Sequence, residues 1–364
     1  MNTSGWSKAY FDYWQRLMPG NMSLDSWNVL QPNTLMRWQQ EMATAYSASA
    51  QDMFSTLARS VDLGGQRLSD PTLWLNEWVR LAKNVSATAA TVPTSTYMHG
   101  AGALMRASTV KAKTPAQVAG RPVSFPVGVQ SASEGAAFFS VDANQVNEEL
   151  KRVTQASPGR YELRAQEFMP GRSLFVVQIR DYRKSDLDSY AEISAGFCVY
   201  SPQTAFRWPA LFFPATSVNG QMGLQFGMEV WGYQKYFDEK MVFLSTGTRR
   251  AQCEIYESGE TSHKPLVSVS IPRNGDLTIP GLVTQTYTMR DDELLFTQLQ
   301  RNSSGTGLSV RNAGVEIAAN PATGHEVARL ISDFDIPSRP NLFSFWTQEF
   351  SERIGPPYLI PPSA

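Results

Sequence analysis

The chain has 364 residues, of which 42% are hydrophobic, 11% aromatic and only 18% charged, against about 25% charged in an average globular protein. That much apolar material can bury a substantial core, which argues against wholesale disorder and against a miniature fold held by disulfides. Lys+Arg 32 against Asp+Glu 33 leaves a net charge of −1, so no global basic field exists to gather nucleic acid or an anionic membrane surface.

Six of the nine tryptophans (Trp6, Trp14, Trp27, Trp38, Trp74, Trp78) precede residue 90, where the spacing is helical. A short helix is expected over Ser7 to Leu17. Between Asn33 and Leu63, Leu35, Trp38, Met42, Ala45, Ser49, Met53, Leu57 and Val61 recur at steps of three and four, which keeps one stripe on one helix face. Asn33 or Thr34 can cap its start, and Gly64-Gly65 ends it. Asp70-Pro71 announces a further helix carrying Trp74, Trp78 and Leu81. Residues 1–90 therefore read as an α-helical module. Residues 91–120 are small, polar and aperiodic, and read as a linker.

From residue 121 to 364 the period changes to two. Ser173 to Ile179, Phe197 to Tyr200, Ala251 to Tyr256, Leu266 to Ile271, Leu277 to Ile279, Val283 to Met289, Glu293 to Leu299 and Val315 to Ala318 read as strands. Asn144 to Val153 reads as a helix with an acidic start (Glu148, Glu149) and a basic end (Lys151, Arg152). Asn341 to Arg353 reads as a last helix, which Pro356-Pro357 cannot continue. The expectation is an α+β chain: a helical module followed by a mostly antiparallel barrel or sandwich. Apolar runs are too short to span a bilayer, and no basic leader precedes an apolar stretch at the amino terminus, which predicts a cytoplasmic protein without a transmembrane segment.

Little metal or thiol chemistry is on offer. Cys198 and Cys253 are the only cysteines, and the histidines at 99, 263 and 325 share no ligand spacing, so neither metal nor cofactor is expected. The informative segment is Gly227-Met-Glu-Val-Trp-Gly-Tyr-Gln-Lys-Tyr-Phe237, where Lys235 stands among Trp231, Tyr233, Tyr236 and Phe237. A lysine in water, with a pKa of about 10.4, is a neutral nucleophile only about once in two thousand at pH 7. An aromatic, dry setting penalises the ammonium and is what a Schiff-base lysine needs. The ordinary alternative is a lysine whose stem lies on the rings while its head reaches water.

Together with the Tyr190-Ala-Glu192 segment some forty residues upstream, this pattern resembles the acetoacetate decarboxylase superfamily. In that family a Tyr-x-Glu strand precedes a Gly-x-Glu…aromatic-Pro-Lys segment, matched here by Tyr190 and Glu192, then Gly227, Glu229, Tyr233 and Lys235. The resemblance covers roughly residues 120 to 350. It implies a cone-shaped, mostly antiparallel β-barrel with flanking helices, a homo-oligomer, and a small keto acid as partner. Lys235 would form the imine, with Glu192 and Glu229 positioning it and moving protons. Tyr190, Trp231, Tyr233 and Tyr236 would meet substrate. The resemblance also implies decarboxylation of a 3-oxo acid. Aldol, dehydration or cyclisation chemistry on the same imine is the first alternative, and a non-catalytic barrel binding a keto ligand or protein partner is the second.

Two departures stand out. The family's second lysine is Tyr236 here, so the neutral amine would have to come from desolvation alone. The family's carboxylate-binding arginine has no counterpart in Glu134-Gly-Ala-Ala-Phe138, and Arg121, Arg160 and Arg172 are out of register. Tyr182, Arg183, Trp208 and Phe212 could line a pocket for a longer, more apolar keto compound. The tryptophan stripes of residues 1–90 either pack internally or form an interaction surface. Around Trp14, Trp38, Trp74 and Trp78 the composition is phasin-like, resembling proteins that coat polyhydroxyalkanoate granules.

Overall fold

In the computed structural model, residues 110–154, 160–203, 210–244, 249–257, 264–273, 277–279, 283–303, 306–310, 314–321 and 324–362 are described. They belong to one compact unit, Val110–Gln203 with Trp208–Ala364. The helices expected before residue 90, and Trp208, lie outside the described residues.

The longer strands are β1 (Val127–Asp142), β2 (Arg172–Ser185), β3 (Tyr190–Tyr200), β4 (Ala210–Val218), β5 (Lys235–Phe237), β6 (Met241–Leu244), β7 (Arg250–Ile255), β8 (Val267–Pro272), β9 (Val283–Arg290), β10 (Glu293–Ser303), β11 (Glu316–Ala319) and β12 (Asn341–Ile354). Three α-helices accompany them: α1 (Ala143–Val153), α2 (Gln221–Glu229) and α3 (Glu326–Asp333). Among the described residues the main sheet has fourteen strands and runs β10-β9-β4-β3-β2-β1-β12 through its centre. β10 also pairs with β12, so these pairings form a closed circuit. The sheet is mixed, because β4 is parallel to both β5 and β9 while the other pairings are antiparallel. A second sheet is ordered β6-β7-β8-β11. Its alternation is the one the sequence shows: Ala251, Cys253 and Ile255 of β7 and Val267, Val269 and Ile271 of β8 are buried.

Side chains cap two of these helices, α1 and α3. The Asp142 carboxylate caps α1 by accepting from the Asn144 and Gln145 amides, and Ala143, Val146 and Leu150 turn inward at steps of three and four. No acidic residue stands in its first turn. Glu148 and Glu149 instead pair along the helix with Lys151 and Arg152, which corrects the expected dipole arrangement. α3 is missing from the sequence reading. Its cap is His325, whose Nδ1 accepts from the Ala328 amide at 3.3 Å.

The largest correction concerns Asn341 to Arg353, which is strand β12 and not a helix. Register shifts interrupt its pairing with β1 between Asn341 and Phe343, Thr347 and Phe350, and Phe350 and Glu352. Each shift resets the alternation, so Phe343, Trp346, Phe350 and Ile354 fall at steps of three and four and imitate a helical stripe. Residues 110–122, at the end of the expected linker, carry short pairings. Val110–Lys111 joins Tyr358–Leu359, and Gln117–Val118 joins Arg121–Pro122.

Candidate active site

Adjacent strands bring polar residues into line. Across β2 and β3, Gln178 faces Ser194, Arg180 faces Glu192 and Tyr182 faces Tyr190. Period two puts each set of three on one face of its strand. Ser194 continues in register to Thr216 of β4, and Thr216 to Lys235 of β5. The lysine thus joins a row that begins at Gln178, three strands away.

α2 closes over this row. Gly223 and Gly227, one helical turn apart, face the sheet because no side chain would fit. A Cβ on Gly223 would come within 2.8 Å of the Tyr190 ring, and one on Gly227 within 2.6 Å of Lys235 Cδ and Cε. The family-like glycine at 227 is therefore the space through which the lysine stem passes.

The Lys235 ammonium donates to Glu192 Oε2 at 2.7 Å, with only 7% of the lysine side chain and 8% of the glutamate side chain exposed. Its Nζ also lies 5.5 Å from the Tyr190 ring centroid and 5.6 Å from that of Tyr233. The other Glu192 oxygen accepts from Ser194 Oγ at 3.2 Å, and Ser194 Oγ in turn accepts from Thr216 Oγ1 at 3.1 Å. The Tyr233 hydroxyl is bonded to Thr286 Oγ1 at 2.7 Å. Burial pushes the Tyr190 and Tyr233 hydroxyls above their usual range, so both stay protonated and able to donate.

A cavity of about 30 Å³ adjoins this cluster, lined among others by Arg180, Tyr190, Glu192, Trp231, Tyr233 and Lys235. Trp231 is buried with its indole N–H donating to the Gly355 carbonyl at 3.0 Å. Lys235 also lines an open cleft of about 520 Å³ on its other side.

Two expected site residues are elsewhere. Glu229 is exposed at the end of α2 and lines neither cavity. Residues two apart on a helix point to nearly opposite sides, so once Gly227 faces the lysine, Glu229 must face away. Arg290 bonds its backbone carbonyl at 3.1 Å. Tyr236 is 38% exposed and lines the open cleft, not the inner cavity. Of the further candidates, Tyr182 lines the inner cavity, whereas Arg183 is ion-paired with Glu349 at 2.7 Å. Phe213 lines it in place of Phe212.

The residue that sequence reasoning missed is Arg180. It lines the cavity, donates from Nε to Glu134 Oε2 at 2.7 Å and from Nη1 to the Tyr182 hydroxyl at 2.8 Å. Glu134 also meets Arg301 at 2.7 Å, and Arg301 meets Glu352 at 3.0 Å. A signal was present. Arg180 and Tyr182 continue the period of Gln178 beyond the expected end of the Ser173 to Ile179 strand.

His325 is no nucleophile-activating base here. Ser217 Oγ and Asp238 Oδ2 both lie at Nε2, at 3.3 and 3.2 Å, while Nδ1 serves the helix cap. Among the described residues no cluster of metal-ligating side chains occurs, and no helix is long and apolar enough to cross a membrane.

The arrangement defines a lysine–carboxylate site walled by β-strands. No protein-family model matches the chain, and no curated protein is significantly similar to it. The solved structures to which it is similar include acetoacetate decarboxylases and enzymes like them, the superfamily that the Tyr190–Lys235 motif resembles. One is the acetoacetate decarboxylase of Legionella pneumophila, with 12% identity, a TM-score of 0.48, and coverage of 69% of this chain and 94% of that one. Another is the enduracididine biosynthesis enzyme MppR, at 12% identity and TM-score 0.43, covering 66% and 89%. A third, an acetoacetate decarboxylase-like enzyme from Sphingomonas wittichii, has 12% identity, TM-score 0.42, and coverage of 69% and 100%. Likeness at this level identifies neither substrate nor reaction, which have to be read from the side chains.

Proposed function

We propose that the chain is a Schiff-base-forming lyase that decarboxylates a 3-oxo acid through Lys235. The observation that carries this reading is the buried amine, 2.7 Å from the Glu192 carboxylate, on a lysine that lines both an inner cavity and an open cleft. The ammonium passes a proton to Glu192, and the neutral amine adds to the ketone carbon. Glu192 returns that proton to the departing hydroxyl, so water leaves and an iminium ion forms. Breaking the bond to the carboxylate sends its electron pair to the iminium nitrogen, releasing carbon dioxide and leaving an enamine. A proton from solvent, relayed by Glu192, then adds to carbon, and water cleaves the iminium to give the ketone and the original ammonium. The buried guanidinium of Arg180, which lines the inner cavity together with Lys235, supports a keto acid as substrate.

Borohydride reduction in the presence of 3-oxobutanoate or a longer 3-oxo acid tests the reading. The expected result is a stable mass increase on the peptide containing Lys235, absent from Lys235→Ala. No adduct with any 3-oxo or α-keto acid would remove both imine readings and leave a keto-ligand-binding fold. An adduct without carbon dioxide release would move the reaction to aldol or dehydration chemistry.

A further inference from the structure

The inner cavity, about 30 Å³, has room for about one water molecule. The open cleft on the other side of Lys235, about 520 Å³, is within the size range of ligand pockets. Its floor is apolar. Leu224 and Met228 stand four apart on one face of α2, and Tyr236 and Phe237 adjoin them from β5. Met228, Tyr236 and Phe237 are 46%, 38% and 41% exposed, and among the described residues they make an uncovered apolar surface in a cleft that Lys235 also lines. Most of the rest of the lining is polar. Asp238 is bonded to His325 at 3.2 Å, Glu326 is ion-paired with Arg329 at 3.0 Å, and Glu257 adjoins them.

We infer that this cleft binds the apolar chain of the substrate, which makes the preferred substrate a 3-oxo acid of medium chain length. The inference rests on the imine reading above and specifies its substrate. The acid group points toward Arg180, the guanidinium that lines the inner cavity next to Lys235. The ketone then sits at Lys235, and the chain beyond it emerges over Leu224, Met228, Tyr236 and Phe237. A 3-oxo acid has its three parts in this order.

The experiment measures half-saturation of borohydride trapping at Lys235 with 3-oxobutanoate, 3-oxohexanoate, 3-oxooctanoate and 3-oxodecanoate. Each methylene buried in the cleft is expected to lower that concentration by about fourfold until the floor is covered. In Met228→Asp the preference for 3-oxodecanoate over 3-oxobutanoate is expected to shrink at least about tenfold. Equal half-saturation across the series, or an unchanged preference in Met228→Asp, overturns the cleft assignment while leaving the imine intact. Calorimetric titration with 3-hydroxybutanoate and 3-hydroxydecanoate, which form no imine, tests the cleft separately. The longer acid must bind more tightly, and equal affinities overturn the assignment even where trapping fails for every keto acid.

Discussion

The Lys235–Glu192 pair and the network of Glu134, Arg180, Arg301 and Glu352 are both closed by 2.7 Å contacts between nearly buried groups, and both include residues of β2 or β3. Their surroundings differ. Glu134 receives two guanidiniums and the Gln178 amide, while Arg301 bridges Glu134 to Glu352 and lies 4.2 Å over the Phe350 ring. Burial alone would raise the Glu134 carboxyl, and the adjacent Arg180 and Arg301 more than reverse this, leaving it below the usual carboxylate value. Lys235 has one carboxylate partner among the described residues and two ring faces, and it lines both a small inner cavity and an open cleft. A charge tied from several directions fixes neighbouring strands. A charge with one partner and adjoining space can exchange that partner for a substrate.

That contrast predicts which substitutions cost activity and which cost stability. Glu192→Gln removes the group that holds and returns the proton, and is expected to slow turnover by about 10² to 10⁴ while leaving the urea midpoint nearly unchanged. Normal turnover in the variant would show that another residue moves the proton. Arg301→Ala leaves buried Glu352 without its guanidinium and Glu134 with Arg180 alone, and is expected to cost about 3–5 kcal/mol of folding stability by urea denaturation. Lys235→Met should cost less than half of that, because Glu192 borders a cavity and can take up water or a proton. Equal destabilisation by the two variants would erase the distinction between network and site.

The same contrast explains what could be read in the sequence. Lys235, Glu192, Tyr190 and Tyr233 could be singled out because they stand in two short segments, and the fold brings those segments together. Strands β7 and β8 of the smaller sheet were legible because their alternation is uninterrupted, whereas β6 was not read from the sequence. Glu229 misled, because a linear motif does not show that Gly227 and Glu229 sit on a helix that turns one inward and the other out. β12 misled because bulges rewrite period two as steps of three and four. Arg180 was overlooked because its role follows from cross-strand register with Glu134 and Glu192, and register is a relation between distant segments.

The smallest expected effect is the pH response of the network. Glu134 is held below the ordinary carboxylate value near 4.5 only in the folded chain, so its contribution to stability is complete above that value. The contribution is lost as pH falls through the lower, folded value. Glu134→Gln lacks it at every pH. The stability gap between the native chain and this variant should therefore stay constant from pH 7 to about pH 5, then narrow on further acidification. One titrating carboxylate limits the slope to about 1.4 kcal/mol per pH unit. Urea midpoints of both proteins between pH 7 and pH 3 measure it. A gap that widens toward acid would mean that Arg180 and Arg301 do not favour the ionised Glu134, and the network would no longer differ from a pair strained by burial.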